Sequence, residues 1–335
     1  MKRSTTVKHP TAMKLSTSMK LSTKLIRHGL WLLLANILAA AAAAVGAEPI
    51  FEVRHQGIAH DALYDICFDQ RVGFAGGVAG ALLRSEDGGR TWSQQSPLGP
   101  EAVLGLHCTS SNALAVGQGG LILKKGGEAW RRIESGTEAR LLSVSSNEQG
   151  LAVAVGGFGA VLRSRDGGDS WEPLTFDWEA LLNDFLEPHI YDVQVSGDGI
   201  ITIVGEFGLV LHSTDGGDSW NMTHQGEASL FALELDGNVG YAVGQNGTVL
   251  RTEDGAQTWR ELSSGTEANL LDVLTDGDGV VHVTGIRTLL QSADGGNSWV
   301  SRQPGDVDSR WYQSLGMSEA GAFMVGHSGR IVQIK

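Results

Sequence analysis

The stretch "HSTDGGDSW" (212–220) places two aspartates, two glycines and a tryptophan within nine residues. Carboxylates on a glycine turn could do general acid–base work or hold a cation, provided several of them converge. Near-copies recur as "RSEDGGRTW" (84–92), "RSRDGGDSW" (163–171), "RTEDGAQTW" (251–259) and "QSADGGNSW" (291–299). A sixth, decayed copy, "KKGGEAW" (124–130), carries Lys125 in place of the aspartate. The shared acidic position is Asp87, Asp166, Asp215, Asp254 and Asp294, and the shared aromatic one Trp92, Trp171, Trp220, Trp259 and Trp299. Distributed one per repeat, these aspartates do not meet on one substrate. Their expected role is local: each carboxylate accepts N–H bonds of its own turn, glycine supplies positive φ, and tryptophan packs between neighbouring units.

The elements that hold these turns follow from a second motif. A Gly-x-x-Gly turn runs into an apolar strand at "GVAGALL" (77–83), "GQGGLIL" (117–123), "GGFGAVL" (156–162), "GEFGLVL" (205–211) and "GQNGTVL" (244–250). "GIRTLL" (285–290) has lost its second glycine to Thr288, and "GHSGRIV" (326–332) is followed by no acidic box. The steps between first glycines are 40, 39, 49, 39, 41 and 41 residues. Short strands at a period of about 40 residues mark propeller blades. One repeat reads as four antiparallel strands: "LLDVL" (270–274), "VVHVTG" (280–285), "TLLQS" (288–292) and "WVSRQ" (299–303). Seven Gly-x-x-Gly elements meet six outer strands, so "IFEVRHQG" (50–57) is expected to complete the last blade beside "RIVQI" (330–334). The fold class is all-β: a seven-bladed β-propeller, spanning residues 48–335, closed by an N-terminal strand.

Ahead of it, Lys20, Lys24 and Arg27 precede the apolar run "GLWLLLANILAAAAAAVGA" (29–47), with Val45 and Ala47 at a cleavage-like site. Residues 1–47 read as an export signal, with a retained membrane anchor as the alternative. Met13 and Met19 compete with Met1 as the start, and with no cysteine near the cleavage point a lipoprotein is not expected. Removing residues 1–47 takes away seven basic residues and no acidic ones, so 18 basic face 38 acidic and the net charge moves from −13 to −20. Such a surface repels nucleic acid and anionic lipid and favours basic or polar protein partners.

Cys67 ("LYDICF") and Cys108 ("LGLHC") fall in the inner strands of adjacent blades, one residue out of step in the repeat. They form either a bridge, which export permits, or two buried thiols. Neither His-Glu-x-x-His, nor a nucleophile elbow, nor a phosphate loop, nor Cys-x-x-Cys occurs, and "DGDG" (276–279) reads as a hairpin rather than a calcium loop. No metal, cofactor or catalytic residue is assigned.

Together the two motifs resemble known families. The Asp box is shared with sialidases and sortilin-type receptors; its combination with Gly-x-x-Gly-x-(Val/Leu)-Leu resembles the photosystem II stability/assembly factor family, over residues 50–335. That resemblance implies a non-catalytic scaffold, periplasmic or lumenal, that binds membrane or envelope protein clients; a monomer is expected. The rival is an Asp-box glycosidase of sialidase type, which needs an arginine cluster and a Tyr–Glu pair. Against it, Tyr64, Tyr191, Tyr241 and Tyr312 are scattered, and Arg84, Arg163 and Arg251 recur at one repeat position, expected to point outward from separate blades.

The irregular 49-residue step comes from "TFDWEALLNDFLEPH" (175–189). Trp178, Leu181, Leu182, Phe185 and Leu186 fall on one helical face, and Pro188 is expected to end the helix. The insertion is expected on the face of the Gly-x-x-Gly turns. It is either a lid packed at home or a docking element for a client, joined by Phe158 and Phe207 of the neighbouring turns.

Overall fold

β-Branched and leucine-rich runs of four to seven residues, punctuated by glycine turns, form the strands that the alternating pattern requires. The computed structural model describes residues 51–96, 99–127, 129–183, 185–303 and 305–334; residues 1–47, read from the sequence as an export signal, lie outside them. Seven four-stranded antiparallel sheets follow one another along the chain. Blades 1 to 7 begin with the inner strands Leu63–Asp69, Val103–Cys108, Leu141–Ser146, Ile190–Val195, Leu230–Asp236, Leu270–Thr275 and Tyr312–Ser318. Each inner strand contacts the next, and the seventh contacts the first, so they surround a central channel.

The last blade takes its outer strand from the other end of the described chain. Phe51–His55 pairs antiparallel with Ile331–Ile334, in the register Phe51↔Ile334, Glu52↔Gln333 and Val53↔Val332. In blade 3 the equivalent pair is Arg163↔Glu172, so Phe51 stands where Trp171 stands there, one residue ahead of the pairing. The strand expected at 50–57 is therefore confirmed over 51–55, and the ring closes.

The apolar core is not one cluster. Among the described residues there are seven, and every one spans two neighbouring blades. Between blades 3 and 4, for example, Val153 and Val155 meet Ile190, Ile201 and Ile203, all fully buried. Each blade thus buries its two faces only against its neighbours, each large side chain contributing about 1.5–3 kcal/mol.

Two glycines show why the recurrent turn needs them. A Cβ on Gly117 would lie 2.0 Å from the Ala102 carbonyl oxygen, and one on Gly120, at φ +69°, would lie 1.9 Å from that of Thr137. The turn packs backbone to backbone against the connection leading into its own blade or the next.

Cys67 and Cys108 are bonded, with Cα atoms 5.6 Å apart, joining blades 1 and 2. The one-residue offset in the repeat does not keep them apart. Asp65 likewise reaches Leu106 across the same joint, 41 residues on, as Cys108 is from Cys67. The alternative of two thiols is thereby corrected. Closing a loop of this length contributes roughly 4 kcal/mol at most.

Removing residues 48–55 should strip blade 7 of its outer strand and leave Ile331–Ile334 as an open apolar edge. The shortened protein is expected to melt well below the parent and to aggregate on size-exclusion chromatography. An unchanged melting curve would contradict closure through this strand.

Candidate functional site

The Asp boxes use their carboxylates on themselves. In the fourth blade, Asp215 Oδ1 accepts from the Asp218 and Ser219 N–H groups at 3.0 and 2.9 Å, and Oδ2 accepts from the Ser219 hydroxyl at 2.6 Å. The Ser213 hydroxyl donates to Oδ1 at 2.8 Å and accepts from Gly217 N–H at 2.9 Å. Asp87, Asp166, Asp254 and Asp294 repeat the pattern of hydroxyl and backbone donors. Hydroxyl and N–H donors hold Asp254 and Asp294 at about 2. These are turn carboxylates, saturated by their own loops. The tryptophans pack across the joints as expected: Trp171 lies against the blade 2–3 cluster, Trp220 the 3–4, Trp259 the 4–5, Trp299 the 5–6, and Trp92 stands edge-on to Phe68 in the 7–1 cluster.

The recurrent arginines correct one expectation. They do not point outward: Arg163 is 8% exposed and lies in the joint between blades 3 and 4, binding Glu172 and, from the next box, Asp218 and the Gly216 carbonyl. Lys124 does the same one blade earlier, reaching Asp169 at 2.7 Å. Each box therefore caps the joint with the preceding blade. Where the box has decayed or is missing, the joint gapes. A cleft of about 300 Å³ opens between blades 1 and 2, lined by Phe74, Cys108, Asn112 and Lys125. A larger one, about 670 Å³, opens between blades 6 and 7, lined by Asp276, His282, Gln291, Arg302, Met317 and Ile334. Its polar groups are tied to one another: His282 Nε2 meets Asp276 at 2.9 Å, and Gln291 bridges His282 and Arg302. Asp276 also accepts from the N–H groups of Asp278 and Val280, so "DGDG" is the hairpin expected of it. Among the described residues no group of three or more His, Cys, Asp or Glu is placed to hold a metal ion.

A set of carboxylates that sequence reasoning missed lies at the centre. Asp65, Asp192 and Asp272 occupy the same place on their inner strands, where each strand slips register by one residue. Asp65 accepts from Ile66 N–H, from Leu106 N–H of blade 2 at 2.6 Å and from the Ser314 hydroxyl of blade 7 at 2.6 Å. Asp192 takes Val193 N–H, Leu233 N–H of blade 5 and the Ser143 hydroxyl of blade 3. Asp272 takes Val273 and Leu315 N–H groups, and Glu234 takes Thr275 N–H. Burial pushes Asp65 up to about 7, Asp192 to about 6 and Glu234 to about 8, with the hydrogen bonds opposing; Asp272 also rises well above the usual carboxylate range. Though enclosed by the ring, each of these residues keeps partial access to the channel.

On the Gly-x-x-Gly face, the insertion lies where expected: Gly159 N–H donates to the Pro188 carbonyl. Its helix is shorter than the periodicity implied. It covers Trp178–Leu182, capped by the Asp177 carboxylate and stopped by Asn183 in the left-handed region at φ 55°, five residues before Pro188. The stripe is accordingly split. Trp178 is 8% exposed, stacks on Phe176 at 4.6 Å, and with Leu181 and Leu182 joins the blade 3–4 core. Phe185 and Leu186, beyond the helix, are 85% and 46% exposed. The second x of the neighbouring turns is left-handed too, with Phe158 at φ 56° and Phe207 at φ 59°. Bulky residues there cost about 1 kcal/mol or more. Phe158 is held by His189: its N–H donates to Nδ1 at 3.0 Å and the rings meet edge-on at 5.0 Å. From His189 the ring contacts continue to Tyr191 and on to Phe231, both on inner strands. Tyr191 also donates to Glu206 at 3.5 Å, on the face opposite the boxes where Arg163 lies.

Two outcomes follow. Ser213→Ala should leave the buried Gly217 N–H without its acceptor and cost about 1–3 kcal/mol in urea unfolding. No loss would mean that the hydroxyl is not part of the box. The pH dependence should have a maximum near pH 4–5. The box carboxylates, lowered by folding, contribute stability above about pH 4 that is lost toward about pH 2. The channel carboxylates, raised by folding, keep protons that the unfolded chain has released, so stability falls as pH rises from about 4 toward 8. Glu234→Gln should flatten that upper limb.

Residues 122–230 match the family described as photosynthesis system II assembly factor YCF48. No match is found among curated proteins. The chain is similar in structure to YCF48 bound to a D1 peptide, with a TM-score of 0.68 and 20% identity, over 87% of this chain and 98% of that one. YCF48 from Cyanidioschyzon merolae gives 0.68 and 19%, over 84% and 98%. The WD40 repeats of RRP9 give 0.63 and 13%, over 84% and 96%, a likeness of fold alone. The chain is thus a closed seven-bladed propeller of the same fold as YCF48, and residues 122–230 of it match the YCF48 family.

Proposed function

We propose that the protein is a non-catalytic scaffold, exported to the periplasm or an equivalent lumen, that binds membrane or envelope protein clients during their assembly. The observation that carries this reading is the family match over residues 122–230 on a ring shaped like YCF48, one structure of which holds a D1 peptide. The site chemistry agrees with it. The five box aspartates are occupied by their own turns, and the three recurrent arginines lie apart: Arg84 lines the 1–2 cleft, Arg163 sits in the 3–4 joint and Arg251 lies beside Gly295 in the 5–6 joint. The export step is supported by the basic and apolar run of residues 1–47, and an acidic mature surface suits basic protein partners over nucleic acid. A monomer is the expected working state, and no helix among the described residues is long and apolar enough to cross a membrane.

Photo-cross-linking the mature protein in its native envelope should trap a specific membrane protein in a saturable, competable complex. Incubation with sialosides and aryl glycosides should give no turnover. Saturable hydrolysis abolished by replacing a single acidic residue would overturn the scaffold reading.

A further inference from the structure

The Gly-x-x-Gly turns repeat seven times, yet their left-handed residue is not uniform. It is Ala79, Gly119, Phe158, Phe207, Asn246, Arg287 and Ser328 in blades 1 to 7. Glycine and asparagine suit this conformation; phenylalanine does not. The two phenylalanines sit in adjacent blades, 3 and 4, beside the insertion that exposes Phe185 and Leu186. Phe158 is itself 71% exposed, so burial does little to repay its strain, while Phe207 is half-buried. A bulky apolar residue kept against local preference and left largely in solvent, as Phe158 is, marks a surface suited to contact.

This patch has a direction and a charge. Its ring contacts run from Phe158 through His189 to Tyr191 and Phe231 on the inner strands, next to Asp192. The connections around it carry Glu134, Glu138, Asp177, Glu179, Glu187 and Glu227, all exposed, against the single exposed base Arg140 among the described residues of 134–140, 174–189, 205–208 and 224–229. An apolar track set in carboxylates is complementary to apolar side chains flanked by cations, and it disfavours an acidic segment.

We infer that the blade 3–4 sector of the Gly-x-x-Gly face is a docking site for a polypeptide segment with an apolar or aromatic middle and lysine or arginine flanks, laid along Phe158, His189 and Tyr191 toward the channel mouth. The inference rests on the protein-binding reading above and adds which face binds and what chemistry it accepts. Trp178, buried in the core, is not part of the contact. Phe158, Phe207 and Phe185 are.

The test exploits the backbone. Phe158→Asn combined with Phe207→Asn puts at both turns the residue that blade 5 already has, Asn246, so folding should be unharmed and the melting temperature equal or higher. Fluorescence anisotropy would follow three labelled synthetic peptides on the mature protein: an apolar, aromatic-containing core with lysine flanks, the same core with glutamate flanks, and a Gly/Ser core with lysine flanks. The first should bind saturably, at least tenfold tighter than either other, and at least tenfold weaker to the double variant. Equal binding by parent and variant, by the two flank types, or by the Gly/Ser core overturns the inference. Envelope cross-linking with the same variant separates this from the parent reading. A client captured equally by both proteins leaves the scaffold standing and removes this site, whereas capture by neither removes the scaffold.

Discussion

The innermost strand of a propeller blade is an edge, paired on one side only, and its free N–H groups must find acceptors without another strand to supply them. Here side chains reach across all seven joints. Asp65 takes Leu106 N–H between blades 1 and 2, His107 meets the Ser146 carbonyl between 2 and 3, and Ser143 donates to Asp192 between 3 and 4. Asp192 then takes Leu233 N–H, Glu234 takes Thr275 N–H, Asp272 takes Leu315 N–H, and Ser314 returns to Asp65. The clasp is complete around the ring. Its cost is a set of enclosed carboxylates that, among the described residues, pair with N–H and hydroxyl groups rather than with lysine or arginine, which is why acidity at the centre and acidity at the boxes act on stability in opposite senses.

The seven apolar clusters impose the same dependence on the outer parts of the blades. Because each cluster is shared, a blade removed from the ring would expose both faces at once, and independent folding of one repeat is not available. The Asp box is the cap on this arrangement. It turns the chain tightly, places tryptophan over the joint and offers a carboxylate or carbonyl to the basic residue of the preceding blade.

Much of this was legible in the sequence, because it rests on local chemistry repeated seven times. The box predicts its own hydrogen bonds, since Asp-Gly with a hydroxyl two residues before and four after leaves little else to do. The forty-residue period gave the ring, and the unmatched seventh turn required the strand at Phe51–His55. Relations between blades were less legible. Asp65, Asp192 and Asp272 do share a signal, the third residue of "LYD", "IYD" and "LLD", but partners of Asp65 and Asp192 lie 41 residues away in the next blade. Cys67 and Cys108, also 41 residues apart, meet across the 1–2 joint despite their offset. In the insertion, periodicity favoured a long helix. A left-handed Asn183 ended it after five residues and turned Phe185 outward.

The two uncapped joints, 1–2 and 6–7, divide the circle unequally. Between them, blades 7 and 1 form a pair bound to each other by the first box, where Gly89 rests on Phe323 and Ser318 donates to the Gly88 carbonyl. On the 1–2 side that pair is tied to the next blade by the Cys67–Cys108 bond besides the backbone, and on the 6–7 side by the backbone, the shared apolar cluster and the Leu315 N–H bond to Asp272. The 1–2 joint is thus cross-linked and the 6–7 joint is not, so the two uncapped seams of one ring differ in how far they can widen without breaking a covalent bond.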